Sequence, residues 1–453
     1  MQRLIGGVAT LLALAGALSS AEPNGDWKLD VVRLKTGVVL KGLVVDETKT
    51  EVIFKNVRPR RTGYPTVVID ITLPKSEVDR LDKLAGKERD DLKARILALD
   101  QRDTEQRLKE LELRPAYWAE SRKEGLSYAS EHFLLIANAS DSIARRAAYR
   151  LEQIYGAYAT YLPPVRRPAK PNTTTTILLV QSIADYQAML KAQGRDIFNP
   201  AFYDAGRNEV VCASELTQLG EQLEKIRREH EQLWERIRMQ SAEAVKLPKG
   251  EVRDRALEQI KQARDNIMKA SAKNEELFNV ATRQLFQTLC HEAFHAYLAN
   301  FVYPAEQFTV PRWLNEGLAQ VFETALLETG ELRLGHVPEV RLNRVKELLD
   351  KGELVPLADL LKSTPQQFIV AGPDRRAADR HYLTAWALAH YLTFDRKLLG
   401  TKALDTYMQA VSREGNPTAA FVELVDKKPL EEIEKAFHEY VKSLRVDGKA
   451  EGK

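Results

Sequence analysis

Apolar and polar positions alternate in short runs over residues 27–73, the two-residue period of strands with one buried face. Asp30 to Leu34, a Lys35-Thr36-Gly37 turn and Val38 to Val45 predict a β-hairpin, and Glu51 to Phe54 and Thr66 to Ile71 predict two more strands. Pro74 to Glu77 opens a short helix, so residues 27–85 are expected to form a small barrel-like β domain. The period then lengthens. Leu92, Ile96, Leu99, Leu108 and Leu111 recur at rough helical spacing amid dense charge, predicting a linker helix within residues 86–122 that Pro115 ends. From Tyr128 strands and helices alternate: a strand at His132–Ile136, a helix over 140–160, a strand at Thr176–Val180, a helix from Tyr186 to Lys191 and a strand at Asn208–Cys212. The fold class is α+β, a mixed sheet with a helical lobe.

Leu216, Leu219, Leu223, Ile226, His230, Leu233 and Ile237 fall at alternating spacings of three and four. After Leu247-Pro248-Lys249-Gly250 the pattern resumes with Ala256, Ile260, Ala263, Ile267, Ala270, Asn274 and Leu277. This a/d seam predicts an antiparallel coiled-coil hairpin inserted at residues 215–275. Its returning helix meets no Pro or Gly before residue 300, so the arm and the segment around residue 291 are expected to form one continuous rod. The pattern fits a spacer and a surface for a protein partner or self-association equally well. Farther on, a helix through Glu323, a turn region with Gly330, Gly335 and Pro338, and a loop and short helix over 354–361 are expected. A helix around Tyr382, an amphipathic helix from Leu430 to Leu444 and a polar tail over 446–453 complete the chain.

On that rod lies His291-Glu292-Ala293-Phe294-His295. Helical residues four apart sit roughly 40° past a full turn, so both imidazoles leave one face, as two nitrogen ligands of tetrahedral Zn²⁺ must. Glu292 points about 100° away and can reach a water without taking a coordination position. Glu316, in Pro311-Arg312-Trp313-Leu314-Asn315-Glu316-Gly317-Leu318-Ala319, can supply the third ligand from a second helix. Two histidines and a glutamate leave one position open, the catalytic kind of zinc site. Leu285, Leu289, Phe294 and Leu298 give the helix a face to bury. A scaffold or peptide-binding protein that holds zinc without hydrolysis could use the same three ligands, although pure metal binding has no need of Glu292.

The motif HEAFH followed by PRWLNEGLAQ resembles the gluzincin metallopeptidases, most closely their peptidase-MA-like branch. The resemblance covers roughly residues 128–445 and extends through His381-Tyr382-Leu383-Thr384-Ala385-Trp386 to Tyr391-Leu392. It implies a peptidase acting on a peptide or protein substrate, with His291, His295 and Glu316 as zinc ligands and Glu292 as general base. It also implies that Tyr382 stabilises the oxyanion, with His381 in reserve, and that Asn208–Cys212 is the sheet edge on which an extended substrate lies. In gluzincin-like packing that edge runs close to the histidine helix, so Cys212 and Cys290 could be joined as a disulfide or stay two buried, reduced thiols. Residues 27–85 resemble a small SH3-like or Sm-like barrel.

Met1-Gln2-Arg3, the apolar run Leu4–Leu18 and Ser19-Ser20-Ala21 form a secretory signal pattern over residues 1–21, cleaved after Ala21. The run is short of the roughly 20 apolar residues that span a bilayer, so a soluble extracytoplasmic protein with no membrane span after cleavage is expected. A formal charge of +3 over 453 residues gives no footprint for nucleic acid. Two cysteines are too few for a disulfide framework.

Overall fold

The computed structural model describes residues 27–446, apart from residues 36, 59–65, 101–107, 119–122, 165–173, 196, 198, 325, 329–330, 334–336, 369–374 and 426. The expected signal peptide and most of the polar tail lie outside the described residues. Strands β1 (Asp30–Leu34), β2 (Val39–Glu47), β3 (Glu51–Arg58), β4 (Val67–Pro74) and β5 (Val78–Asp82) make an antiparallel sheet in the order β4-β3-β2-β1-β5. The alternating pattern buries Val32, Leu40, Val44, Val52 and Phe54. Strands β4 and β5 end the sheet at opposite sides without pairing among the described residues, so it stays open where a barrel was expected. The helix expected after Pro74 is one 3-10 turn, Lys75–Glu77, after which the chain re-enters the sheet as β5.

Helix α1 (Gly86–Asp100) lays Leu92 and Ile96 on Leu43 and Val57. The expectation that it runs on to Arg114 fails. Arg114–Trp118 (β6) and Lys123–Ala129 (β7) are paired strands, and Leu108 and Leu111 join the main core. Strand β6 is an edge strand, which is where a sheet accommodates a residue such as Pro115 that lacks an N–H. Next come β8 (Phe133–Ala137), α2 (Asp141–Tyr161), β9 (Thr175–Val180), α3 (Ile183–Ala192), β10 (Ala201–Asp204) and β11 (Glu209–Ala213). The second sheet has the order β10-β11-β9-β8-β7-β6, with β8, β9 and β11 parallel and β10 antiparallel to β11. Helix α2 is buried on nearly every side because it touches β4 of one sheet and β7 of the other.

Helices α4 (Thr217–Lys246) and α5 (Glu251–Tyr297) form the expected helical hairpin, and α5 is a single helix of 47 residues. Ile237, Ala244, Ile260 and Ile267 close the seam between them. The base of the hairpin belongs to the body, however. Leu216, Leu223 and Phe278 lie in the main core, and the Ser142 N–H donates to Glu224 Oε1 at 3.1 Å. Arg146 Nε donates to Glu275 Oε2 at 3.1 Å, and Arg150 stands 3.6 Å from the same carboxylate. The first turns of α4 and the middle of α5 therefore pack on the body as well as on each other.

The remaining helices are α6 (Arg312–Glu323), α7 (Glu339–Asp350), α8 (Leu357–Leu360), α9 (Arg375–His390), α10 (Lys402–Ser412), α11 (Pro417–Leu424) and α12 (Leu430–Ser443). A two-stranded ribbon, β12 (Leu326–Glu328) with β13 (Glu331–Arg333), precedes α7. Of the residues read as turns, Gly330 and Gly335 lie outside the described residues, and Pro338 is the N-cap of α7. Helix α6 packs against both α5 and α9. No helix among the described residues is long and apolar enough to cross a membrane.

Candidate metal centre

Helix α5 buries Leu289, Ala293, Phe294 and Tyr297 against the body, which turns His291 and His295 toward α6. The chain leaves α5 through a π turn, Leu298–Val302, and returns as α6 with Glu316 facing the imidazoles. Glu316 is nearly sealed, its side chain 2% exposed. Its Oε2 lies 3.2 Å from His291 Nε2 and its Oε1 lies 3.5 Å from His295 Nε2. One ligand atom from each of the three residues falls within 4.8 Å of the others.

These distances fit a metal. Two ligand atoms each about 2.0–2.1 Å from a tetrahedral zinc stand roughly 3.3 Å apart, and the imidazole–carboxylate distances fall on either side of that value. The outer ring nitrogens are also held. His291 Nδ1 lies 2.6 Å from Glu323 Oε2, and His295 Nδ1 lies 2.9 Å from Asn315 Oδ1. Partners of this kind fix the ring orientation and turn Nε2 toward the metal side. Glu323 is fixed in turn by Arg341 of α7, whose Nη2 donates to Oε1 at 2.6 Å. Arg312 Nη2 stands 2.8 Å from Glu316 Oε1.

The electrostatics describe a place for a cation. Burial pulls the His291 pKa down, but hydrogen bonds and charge from Glu316 and Glu323 outweigh it and raise the pKa from 6.5 to about 10. Burial opposes ionisation of Glu316 too, yet His295, His291 and Arg312 hold its pKa down at about 2. His295 is lowered, chiefly by burial. A proton on His291 thus balances the carboxylates, and a divalent ion would displace it.

Glu292, between the two histidines, is half-buried, and its charge reaches His295 and Tyr382. Tyr382 of α9 lies close enough to feel the charges of Glu316, Arg312 and Glu292. Burial, then the charge of Glu316, push its phenol pKa well above the ordinary value, while Arg312 pulls the other way. Phe368 meets its ring edge to face at 5.2 Å. His381 is turned to its own helix, with Nδ1 2.9 Å from the Ala377 carbonyl, and is not part of the ligand cluster.

One expectation is corrected, and of the two alternatives open for the cysteines the free thiols are found. Asn208–Cys212 is not a sheet edge: β11 lies between β9 and β10, and the free edge beside α5 is β10, Ala201–Asp204. Cys212 and Cys290 are both free and buried, with no bridge between them. Cys212 Sγ faces the Leu285 carbonyl at 3.9 Å, and burial raises both thiol pKa values. Sequence reasoning missed Asn315, Glu323 and Arg341. Glu323 had a signal, because seven residues beyond Glu316 is two turns along the same helix face.

The fold and site define an α+β protein with a candidate metal centre of two histidines and one glutamate. A family described as "Protein of unknown function (DUF1570)" matches residues 286–416, under a third of the chain. That stretch contains all three candidate ligands together with Glu292, Glu323, Arg341 and Tyr382. Neither a curated protein nor a solved structure matches the chain.

Proposed function

We propose that this chain is a zinc-dependent metallopeptidase of the gluzincin type, in the peptidase-MA-like branch, acting outside the cytoplasm. The observation that carries the reading is the convergence of His291 and His295 with Glu316, a carboxylate 25 residues from the first of them, with a ligand atom of each within 4.8 Å of the others. Glu292, interleaved between the histidines, adds a base that a purely structural metal site has no use for.

Zinc, when bound by the three residues, would polarise the scissile carbonyl and acidify water. Glu292 would accept the proton from the attacking water and pass it to the departing amine. Tyr382, kept protonated by its surroundings, would donate its phenolic hydrogen to the developing oxyanion. Arg312 would add positive charge on that side while orienting Glu316. An extended peptide would add to the free edge of β10, with main-chain bonds setting its direction. The arm, read as an antiparallel coiled coil, would stand apart from this chemistry.

The reading is tested by incubating the purified chain with a diverse peptide pool and sequencing the products. Cleavage that a chelator abolishes and added zinc restores supports it. A folded, zinc-replete chain that leaves the whole pool intact would sink it.

A further inference from the structure

The π turn that ends α5, Leu298–Val302, carries a half-buried asparagine, Asn300, just beyond the ligand His295. Its Nδ2 donates to Asn208 Oδ1 and to the Ala296 carbonyl, both at 2.8 Å, and stands 3.2 Å from Thr175 Oγ1. The bond to Ala296 is local and would cap the helix on its own. The bond to Asn208 spans 92 residues and reaches the turn between β10 and β11. Asn208 Oδ1 also accepts from Thr175 Oγ1 at 3.2 Å and from the Tyr203 hydroxyl at 3.4 Å. One side-chain oxygen thus gathers the end of the ligand helix, β9 and β10. Asn208 itself sits in the left-handed region, with φ of 48°, and its carbonyl accepts from the Thr176 N–H at 3.1 Å.

The same hairpin shows which main-chain groups β10 leaves open. Ala213 N–H donates to the Pro200 carbonyl at 2.8 Å, which makes these opposed residues a hydrogen-bonded pair. Such pairs alternate along an antiparallel ladder. Phe202 and Asp204 therefore bond to β11, and the N–H and carbonyl groups of Ala201 and Tyr203 point to the free side. That side is near the candidate base, because Ala201 pairs with Cys212, whose thiol is close enough to feel the charge of Glu292. Tyr203 is also the residue whose hydroxyl reaches Asn208. We infer that Asn300 is a positioning residue: through Asn208 and Tyr203 it fixes the free edge of β10 against the ligand helix, so that an extended peptide paired with Ala201 and Tyr203 meets the metal centre in register. The inference rests on the peptidase reading and adds to it the side chain that holds the substrate strand in place.

Asn300→Ala removes the donor of this tie. Asn208→Gly removes its acceptor and keeps the turn, because glycine readily adopts a φ of 48°. The test follows cleavage of one extended peptide from the cleaved pool by the zinc-loaded wild-type chain, each variant and the double variant. KM should rise on the order of tenfold in each single variant, about what a lost hydrogen bond costs in binding. The kcat should stay within about twofold, as it does when binding is lost equally from substrate and transition state. The double variant should be no worse than either single one, because both break the same contact. Zinc affinity, from chelator competition, should match wild type, which separates a misplaced strand from a damaged site or fold. Unchanged KM, additive losses in the double variant, or a fall in kcat or zinc affinity as large as the rise in KM would overturn the inference. Wild type that cleaves no peptide would instead defeat the peptidase reading itself, and the inference with it.

Discussion

Gly317 follows Glu316 at the point where α6 meets α9, and replacing it with Ala separates helix propensity from packing. A Cβ there would stand 2.4 Å from the Ala385 carbonyl oxygen and 2.9 Å from Ala389 Cβ. Neither neighbour can swing aside: one is backbone, and the other is a methyl on a fully buried stretch of helix. Carbon–oxygen contacts settle at about 3.3 Å or more, so α6 and α9 would have to part by about 1 Å. Helix propensity alone favours Ala by about 1 kcal/mol, while overpacking costs about 1–3 kcal/mol. The expected net effect on stability runs from about zero to a loss of about 2 kcal/mol. The site should suffer more than the fold. Glu316 moves with its neighbour, and metal–ligand distances tolerate only about ±0.2 Å. Zinc affinity should fall roughly 10–100-fold, as it does when a ligand loses its support. Competition against a chromophoric chelator gives the affinity, and melts of the metal-free chain give the stability. Unchanged zinc affinity with a raised melting temperature would refute the packing argument.

Glu323→Gln removes the charge that holds His291 Nδ1, so zinc affinity in the same chelator assay should drop about 10–100-fold; an unchanged value would mean that this contact positions nothing. In the metal-free chain the raised His291 pKa contributes stability that is full below about pH 6.5 and is lost as pH rises through about 10. The melting temperature without zinc should therefore fall from about pH 7 to about pH 10. The zinc-loaded protein should not follow, because a ligating imidazole carries no proton on the coordinating nitrogen; parallel profiles would contradict this. Excising residues 231–266 for a short turn should leave a folded, zinc-binding body, whereas a cut starting at Leu216 should unfold it through loss of Leu216 and Leu223 from the core. Circular dichroism with zinc analysis distinguishes the two truncations.

The parts of this molecule legible in the sequence were those with a local period or a fixed spacing. The histidines four apart and the unbroken run before them predicted both the ligand face and the long helix α5. The parts that were hidden depend on partners distant in the chain. Arg341 meets Glu323 across 18 residues, and nothing periodic marks that pair. Helix α7 stayed hidden because Pro338, which caps its start, reads as a turn residue. Strands β6 and β7 were masked by leucines at helical spacing whose burial comes from the neighbouring core. The free edge was misplaced because β10 is a four-residue strand, too short to show alternation. The base of the arm looked like the rest of its seam because a heptad pattern does not distinguish apolar residues facing the partner helix from those facing the body.

In the proposed peptidase, Glu292 would carry out proton transfer beside a metal that it does not bind. Peptide cleavage by zinc-loaded wild type and zinc-loaded Glu292→Gln, with zinc content determined on the same samples, isolates that role. About one zinc per chain is expected in both proteins, with a rate at least about 100-fold lower in the variant. Equal rates at equal zinc content would contradict it, because the peptidase reading would then have lost its base.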